Sequence, residues 1–118
     1  MIENTEKYRY YPIDKYLYHI YHINMSFIWD DNKNEINKKI HDGIGFEMAV
    51  RVFLDEKRIE RYDEKHSTPE EDRWNVIGLV DKVLFVVYTE RKDDIRIISA
   101  RKATAEETEE YYHDYDFR

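Results

Sequence analysis

The C-terminal half of the chain contains three consecutive segments with the residue pattern of β-strands, separated by very short gaps. The segments cover about 74–80, 83–90 and 95–101. Neither gap, Asp81-Lys82 or Arg91–Asp94, is long enough for the crossover that parallel neighbouring strands require. We therefore predict an antiparallel meander, whose middle strand is apolar on both faces and so is covered on both sides.

The region before the meander has helical patterns. Asp30 can cap a helix over roughly 31–41, with Ile36 and Ile40 on one face and Gly43 beyond its end. A second amphipathic helix, packed on the same core, is indicated by apolar residues at helical spacing: Phe46, Ala49, Val50 and Phe53.

Shorter signals complete the predicted fold. Lys57–Tyr62 has the mixed polarity of a strand near a sheet edge. Thr68–Glu71 and Thr104–Glu107 are both capping boxes, which predict a short helical turn and a C-terminal helix respectively. The expected fold is α+β, with two N-terminal helices packed on an antiparallel meander of about four strands, and a C-terminal helix.

Length and composition set outer limits on this fold. The 118 residues are enough for one domain, and the absence of cysteine excludes disulfides, thiol catalysis and cysteine-ligated metals. The longest apolar run, Val83–Tyr88, is far too short to cross a bilayer, and we expect a cytoplasmic protein.

The first 24 residues differ in composition from the rest, because they contain six of the eleven tyrosines. Within them, Tyr16–Ile23 is compatible with a strand, a partner-facing strip or no ordered structure. We expect the domain to span 25–118, with Met25 as the natural start and 1–24 as an upstream extension.

The net charge of −7 is unevenly distributed and argues against long-range steering of nucleic acid. From Glu106 onward there are six acidic residues and one basic residue, whereas 91–102 has five basic residues against two acidic ones. A local basic surface on an acidic protein can still contact phosphates.

Several cationic side chains are candidates for such contacts. Arginine suits phosphate because its planar fork matches the phosphate oxygens and its charge is permanent. The candidates are Arg73, Arg91, Arg96, Arg101 and Lys102. Strand alternation predicts that Ser99 and Arg101 share one face and that Arg96 points to the other. Arg101 is the first choice, because it lies at a strand end where a groove can form.

His66 is the candidate for proton transfer, since histidine titrates near neutral pH. Its structural alternative is a local hydrogen bond in its loop. Trp74 is a core residue or, alternatively, a stacking surface for unpaired bases. His41 suits a helix C-terminus, and the spacing of His19 and His22 is more typical of chance than of a metal site, so no metal ligand set is predicted.

The chain resembles a known family through blocks spread over about 27–112. The most specific blocks are Tyr88-Thr89-Glu90-Arg91 and the run from Arg96 to Thr104. Others are Phe27–Asp30, Lys33, Asn37, His41, Asp63, His66, Glu71, Arg73 and Trp74. Asp42 departs from the pattern as a one-residue insertion in a helix–helix loop. These blocks are similar to those of the BrnT toxins, ribonucleases of bacterial type II toxin–antitoxin modules.

The resemblance implies a small RelE-like fold and a metal-independent endoribonuclease that inhibits translation, without a cofactor. The expected catalytic residues are Arg101, His66, Glu90 and Arg73, and the expected RNA contacts are Arg91, Arg96, Ser99, Lys102 and Trp74. The expected partner is a BrnA-like antitoxin with a ribbon-helix-helix domain, in a dimer of toxin–antitoxin heterodimers, with DNA contacted only through the antitoxin. Two alternatives remain open: a non-catalytic protein-binding module, and a degenerate toxin that no longer binds RNA.

Overall fold

The part of the chain that the structure describes is organised by a mixed sheet of six strands. The computed structural model describes residues 8–11, 26–92 and 94–113. The strands are β1 (Tyr8–Tyr11), β2 (Ser26–Asp30), β3 (Ile59–Tyr62), β4 (Trp74–Val80), β5 (Lys82–Arg91) and β6 (Asp94–Lys102), in the order β1-β2-β6-β5-β4-β3. The predicted meander is confirmed as β3 to β6, and β3 lies at a sheet edge as expected.

The sheet extends beyond the predicted four-stranded meander and is mixed, because β2 pairs in parallel with β6. The segment Phe27–Asp30 was not predicted as a strand. Phe27, Ile28 and Trp29 are all buried, so the segment lacks the alternation of a half-exposed strand. Its partner is remote in sequence, and local patterns carry no information about that pairing.

Three helices of the described residues flank the sheet: α1 (Asp31–Ile40), α2 (Phe46–Ala49), which continues as a 3-10 turn over Val50–Leu54, and α3 (Ala105–His113). The Asp30 carboxylate caps α1 by accepting hydrogen bonds from the backbone N–H groups of Asn32 and Lys33, as predicted. Beyond α1 the chain turns through Asp42 (φ 52°) and Gly43 (φ 77°). The extra residue Asp42 therefore lies in this turn, outside the sheet.

The face that α1 turns toward the sheet is polar, contrary to prediction. Ile36 and Ile40 are 56% and 66% exposed, whereas Asn34 and Asn37 are buried. The Asn37 amide donates to the Ala100 carbonyl (2.7 Å) and accepts from the Ala100 N–H (3.1 Å). Side-chain hydrogen bonds to backbone, which hydrophobic periodicity does not reveal, thus fix α1 on the sheet.

The main core lies between the sheet and α2 with its 3-10 turn. We call this side of the sheet the core face; on β5 it carries Leu84, Val86 and Tyr88. Gly78 permits the closest approach, because a Cβ there would lie 2.8 Å from the Cβ of Val52. The predicted packing of the second helical segment on this core is confirmed.

The opposite side of the sheet, which we call the distal face, carries Phe85, Val87 and Thr89 of β5. At one end it is covered by α3, where Tyr111 packs in a second apolar cluster with Ile77 and Val83. The capping box that begins α3 is confirmed: Thr104 accepts from the Glu107 N–H, and Glu107 accepts from the Thr104 N–H.

The first capping box does not begin a helix, so that prediction is wrong. The Glu71 N–H donates to the Thr68 hydroxyl (3.1 Å), but the two residues also form an isolated antiparallel bridge across a tight turn. The same hydrogen bond can close a turn without further helix. Glu71 is consequently placed at the start of the sheet rather than on a helix.

Little of the N-terminal segment belongs to the described residues. The backbone of β1 pairs antiparallel with β2. Tyr16–Ile23, His19 and His22 lie outside the described residues, and the proposed start at Met25 stays a prediction. None of the helices in the described ranges is long and apolar enough to span a membrane.

Candidate active site on the distal face of the sheet

A β-bulge in β6 determines which basic side chains share a surface. Val87 pairs with Ser99 whereas Tyr88 pairs with Ile97, which leaves Ile98 as an extra residue. Both Ile97 and Ala100 therefore face the main core. The predicted separation is wrong, because the bulge interrupts the alternation and turns Arg96 to the same face as Ser99 and Arg101.

Glu71 and three arginines lie at the end of the distal face away from α3, where Arg96 pairs with Thr89 and Arg91 follows Thr89 by two residues on β5. Arg73 Nε donates to Glu71 Oε1 at 2.8 Å. This hydrogen bond, together with the positive charges of Arg73, Arg96 and Arg91, lowers the pKa of the Glu71 carboxyl below its ordinary value. We call Arg73, Arg91 and Arg96 the arginine cluster. Three guanidinium groups are therefore concentrated at this end of the sheet.

The loop before β4 holds Arg73 in place. The Arg73 N–H donates to the Ser67 hydroxyl (2.8 Å), and the Arg73 carbonyl accepts from the Asp63 N–H (2.8 Å). On the other side, the buried Thr89 hydroxyl donates to the Asp72 carbonyl (2.6 Å). The backbone around Arg73 is therefore fixed by hydrogen bonds from the loop and from β5.

His66 belongs to the same loop. Its Nδ1 lies 2.8 Å from the Asp63 carboxylate, while the side chain remains 64% exposed. A carboxylate at Nδ1 orients the imidazole and leaves Nε2 as the nitrogen that can exchange a proton with a ligand. The structure thus connects the predicted proton-transfer residue to the backbone of Arg73 through Asp63.

Arg101 lies on the same face but at the end covered by α3. It donates to both carboxylate oxygens of Glu107, at 2.8 and 3.0 Å, and its guanidinium lies 4.2 Å from the centre of the Phe85 ring. The distance from Arg96 along the strand is about 15 Å. Arg101, the first choice from the sequence, is therefore remote from the arginine cluster and fixed to α3, and Ser99 lies between them.

Three predicted site residues lie on the core face instead. Trp74 pairs with Tyr88, packs against the main core and contacts the Tyr62 ring at 5.2 Å. Glu90 follows Tyr88 by two residues and shares its side of the strand, and Lys102 pairs with Leu84. The structure does not bring these residues together with the arginine cluster.

Sequence reasoning did not assign Glu71 to the site, although the residue was part of the resemblance. The available signal was its position two residues before Arg73. That spacing places an acid beside an arginine only in the tight turn that the structure shows, and not in the helical turn that was predicted. Because this turn was predicted to be helical, Glu71 was not recognised as a neighbour of Arg73.

Comparison with known protein families gives a match. A family model described as a ribonuclease toxin, BrnT, of type II toxin-antitoxin systems matches residues 29–107, well over half of the chain. A comparison with curated proteins gives no match. The predicted resemblance is confirmed, and the family implies RNA as substrate and an antitoxin as partner. The chain belongs to the BrnT family of ribonuclease toxins of type II toxin–antitoxin systems.

Proposed function

We propose that this toxin cleaves RNA without a metal ion and that the arginine cluster holds the phosphate at which the chain is cut. The observation that carries the proposal is that strand register and the Glu71–Arg73 hydrogen bond bring the arginine cluster together at one end of the distal face. A phosphate diester carries one negative charge, and charge-assisted hydrogen bonds from arginine are among the strongest that a protein offers. The three guanidinium groups thus offer charged donors that an RNA phosphate can engage.

The proposed reaction is transesterification. The 2′-oxygen of one nucleotide bonds to the adjacent phosphorus, the bond from phosphorus to the 5′-oxygen breaks, and the products are a cyclic phosphate and a 5′-hydroxyl. The 2′-hydroxyl must lose a proton and the leaving oxygen must gain one. The phosphorane between these states carries added negative charge, which the arginine cluster is placed to stabilise.

Proton transfer is assigned to His66, whose Nδ1 is held by Asp63. Glu71 is a weaker candidate for a general base, because its lowered pKa keeps the carboxylate ionised and reduces its affinity for a proton. Its proposed role is to position Arg73. Ser99 and Arg101 would meet flanking nucleotides on the distal face, whereas Glu90, Trp74 and Lys102 lie outside this path.

Cleavage of an end-labelled RNA in EDTA by antitoxin-free protein tests the proposal. We expect the wild type to cut and to leave cyclic-phosphate ends, and Arg96→Ala to cut about 100-fold more slowly, as is typical when one oxyanion-stabilising donor is lost. Lys39→Ala is the matched control, since it removes one exposed positive charge on α1, away from the distal face. Equal rates for Arg96→Ala and wild type would contradict the assignment, and the Arg101→Ala variant would then identify the alternative site.

The proposed partner is a BrnA-like antitoxin with a ribbon-helix-helix domain, in a dimer of heterodimers that represses its own operon and prevents inhibition of translation. Co-expression with the neighbouring open reading frame, followed by light scattering of the purified complex, tests this. A complex containing one toxin would contradict the paired assembly.

A second candidate function is protein binding without catalysis. The observation that favours it is the exposure of Ile36 and Ile40 on α1. A tight antitoxin complex together with no RNA cleavage by the free protein, with or without ribosomes, would favour this candidate.

A further inference from the structure

We propose that Asn75 and Ser99 form a seat for the nucleobase beside the cleaved phosphate, and so determine which nucleotide the toxin prefers there. This inference rests on the proposed function, and it adds a site of sequence recognition to the phosphate-binding site. The seat is distinct from the arginine cluster but lies on the same face.

Strand register places the two residues on either side of Val87. Asn75 pairs with Val87 across β4 and β5, and Ser99 pairs with Val87 across β5 and β6. Asn75 and Ser99 are therefore two strand spacings apart, a distance of about 10 Å. All three side chains are half-buried, so an apolar floor is flanked by two hydrogen-bonding groups. A flat base can cover Val87 and present its polar edges to both sides.

Asn75 is difficult to explain by folding alone. It is the second residue of β4, whose sequence is otherwise mostly apolar, and asparagine is disfavoured in strands. Its Oδ1 is buried and has no hydrogen-bond partner among the described residues. An unsatisfied buried acceptor costs about 1–3 kcal/mol. Rotation of the amide about χ2 would exchange this oxygen with the amide nitrogen, and a base edge can pair with whichever of the two atoms faces outward.

The seat adjoins the arginine cluster. Thr89, the residue paired with Arg96, follows Val87 by two positions on β5. Two residues along a strand span about 7 Å, which is within the reach of one nucleotide. A phosphate held by Arg96 therefore places its own base, or the next one, over Val87. Asparagine and serine both recognise base edges, since each can donate and accept.

The test compares cleavage of four RNAs that differ only in the nucleotide beside the cut bond. For the wild type we expect a preference, and for Asn75→Ala we expect that preference to fall about tenfold, because one base contact contributes on the order of 1–3 kcal/mol of discrimination. Ser99→Ala should weaken it as well. Asn32→Ala is the control, since Asn32 is an exposed asparagine on α1.

Two further measurements separate failure of the seat from failure of the proposed function. Fluorescence anisotropy with the four homopolymers ranks their affinities without requiring cleavage. An unchanged ranking in Asn75→Ala would refute the seat, even where Arg96→Ala abolishes cleavage. If anisotropy shows a loss of preference in Asn75→Ala while the free wild type cleaves none of the RNAs, the seat is supported and the proposed metal-independent cleavage by the free protein is contradicted. Thermal unfolding should show Asn75→Ala no less stable than wild type, because the variant removes an unsatisfied buried acceptor; a marked loss of stability would indicate a structural asparagine and count against the seat.

Discussion

Glu71 combines two opposing effects at the centre of the arginine cluster. Its carboxylate orients Arg73 through a 2.8 Å hydrogen bond, and it also cancels one of the three positive charges. Removing its charge should therefore improve RNA binding and impair the chemical step. For Glu71→Gln we expect KM to fall several-fold and kcat to fall about tenfold, because a mispositioned guanidinium stabilises the phosphorane less well.

Glu70→Gln is the matched control for this prediction, because Glu70 is the exposed neighbour of Glu71 and has the same charge. Steady-state kinetics on one short RNA measure both variants. If Glu71→Gln lowered kcat and raised KM together, Glu71 would be part of the RNA-binding surface and not a residue that positions Arg73. Parallel changes in the control would instead indicate a general effect of net charge.

For single residues, the sequence predicts which residues belong to the site better than it predicts the face of the sheet to which each side chain points. Arg73, Arg91 and Arg96 were all selected as candidates because arginine suits phosphate, and all three lie at the same end of the distal face. The predicted orientation of Arg96 was wrong, because the extra residue Ile98 interrupts the alternation of side chains between the two faces of β6. A bulge depends on pairing with β5 and has no distinct residue pattern here.

Helix α3 is attached to the sheet by an ion pair whose contribution depends on pH. Hydrogen bonding to Arg101 lowers the pKa of the Glu107 carboxyl from its ordinary value of 4.5. A lowered folded-state pKa stabilises the protein at pH values above 4.5, and this stabilisation is lost as pH falls through the folded-state value. With Glu107 18% and Arg101 34% exposed, solvent screening reduces the contribution to about 1 kcal/mol.

The variant Glu107→Gln isolates this ion pair, because glutamine retains the capping hydrogen bond to Thr104 while losing the charge. We expect it to be less stable than wild type at pH 7 and equally stable once the pH is below the folded-state pKa. Urea unfolding across this pH range measures the difference. Glu109→Gln, on the exposed side of α3, should show no such dependence. A constant difference at every pH would show that the ion pair does not cause it.

Elements defined by their own residues were predicted well. The strands β4 to β6 and the helices capped by Asp30 and Thr104 follow from local alternation and capping residues. Elements defined by remote partners were not. The strand β2 depends on parallel pairing with β6, and α1 is held by the contacts of Asn37 with Ala100. Neither partner is visible in a local window of sequence.

The charge of the whole molecule opposes the binding that the arginine cluster requires. A net charge of −7 repels RNA at long range, so association depends on direct contacts between phosphate and the arginine cluster. This arrangement suits a protein whose contacts with phosphate are few. Three arginines contacting single-stranded RNA predict a slope of about −2 for the logarithm of the association constant against the logarithm of salt concentration.

Replacing one of the three arginines should change that slope by a defined amount. For Arg96→Ala we expect the slope to become less steep by about 0.7, because one fewer counterion is released from RNA. Lys39→Ala carries the same change in net charge but lies on α1, so it should leave the slope unaltered. Fluorescence anisotropy with a short unstructured RNA at several salt concentrations provides the slopes. Equal changes in both variants would mean that RNA responds to the overall charge of the molecule, and the arginine cluster would lose its role as the phosphate site.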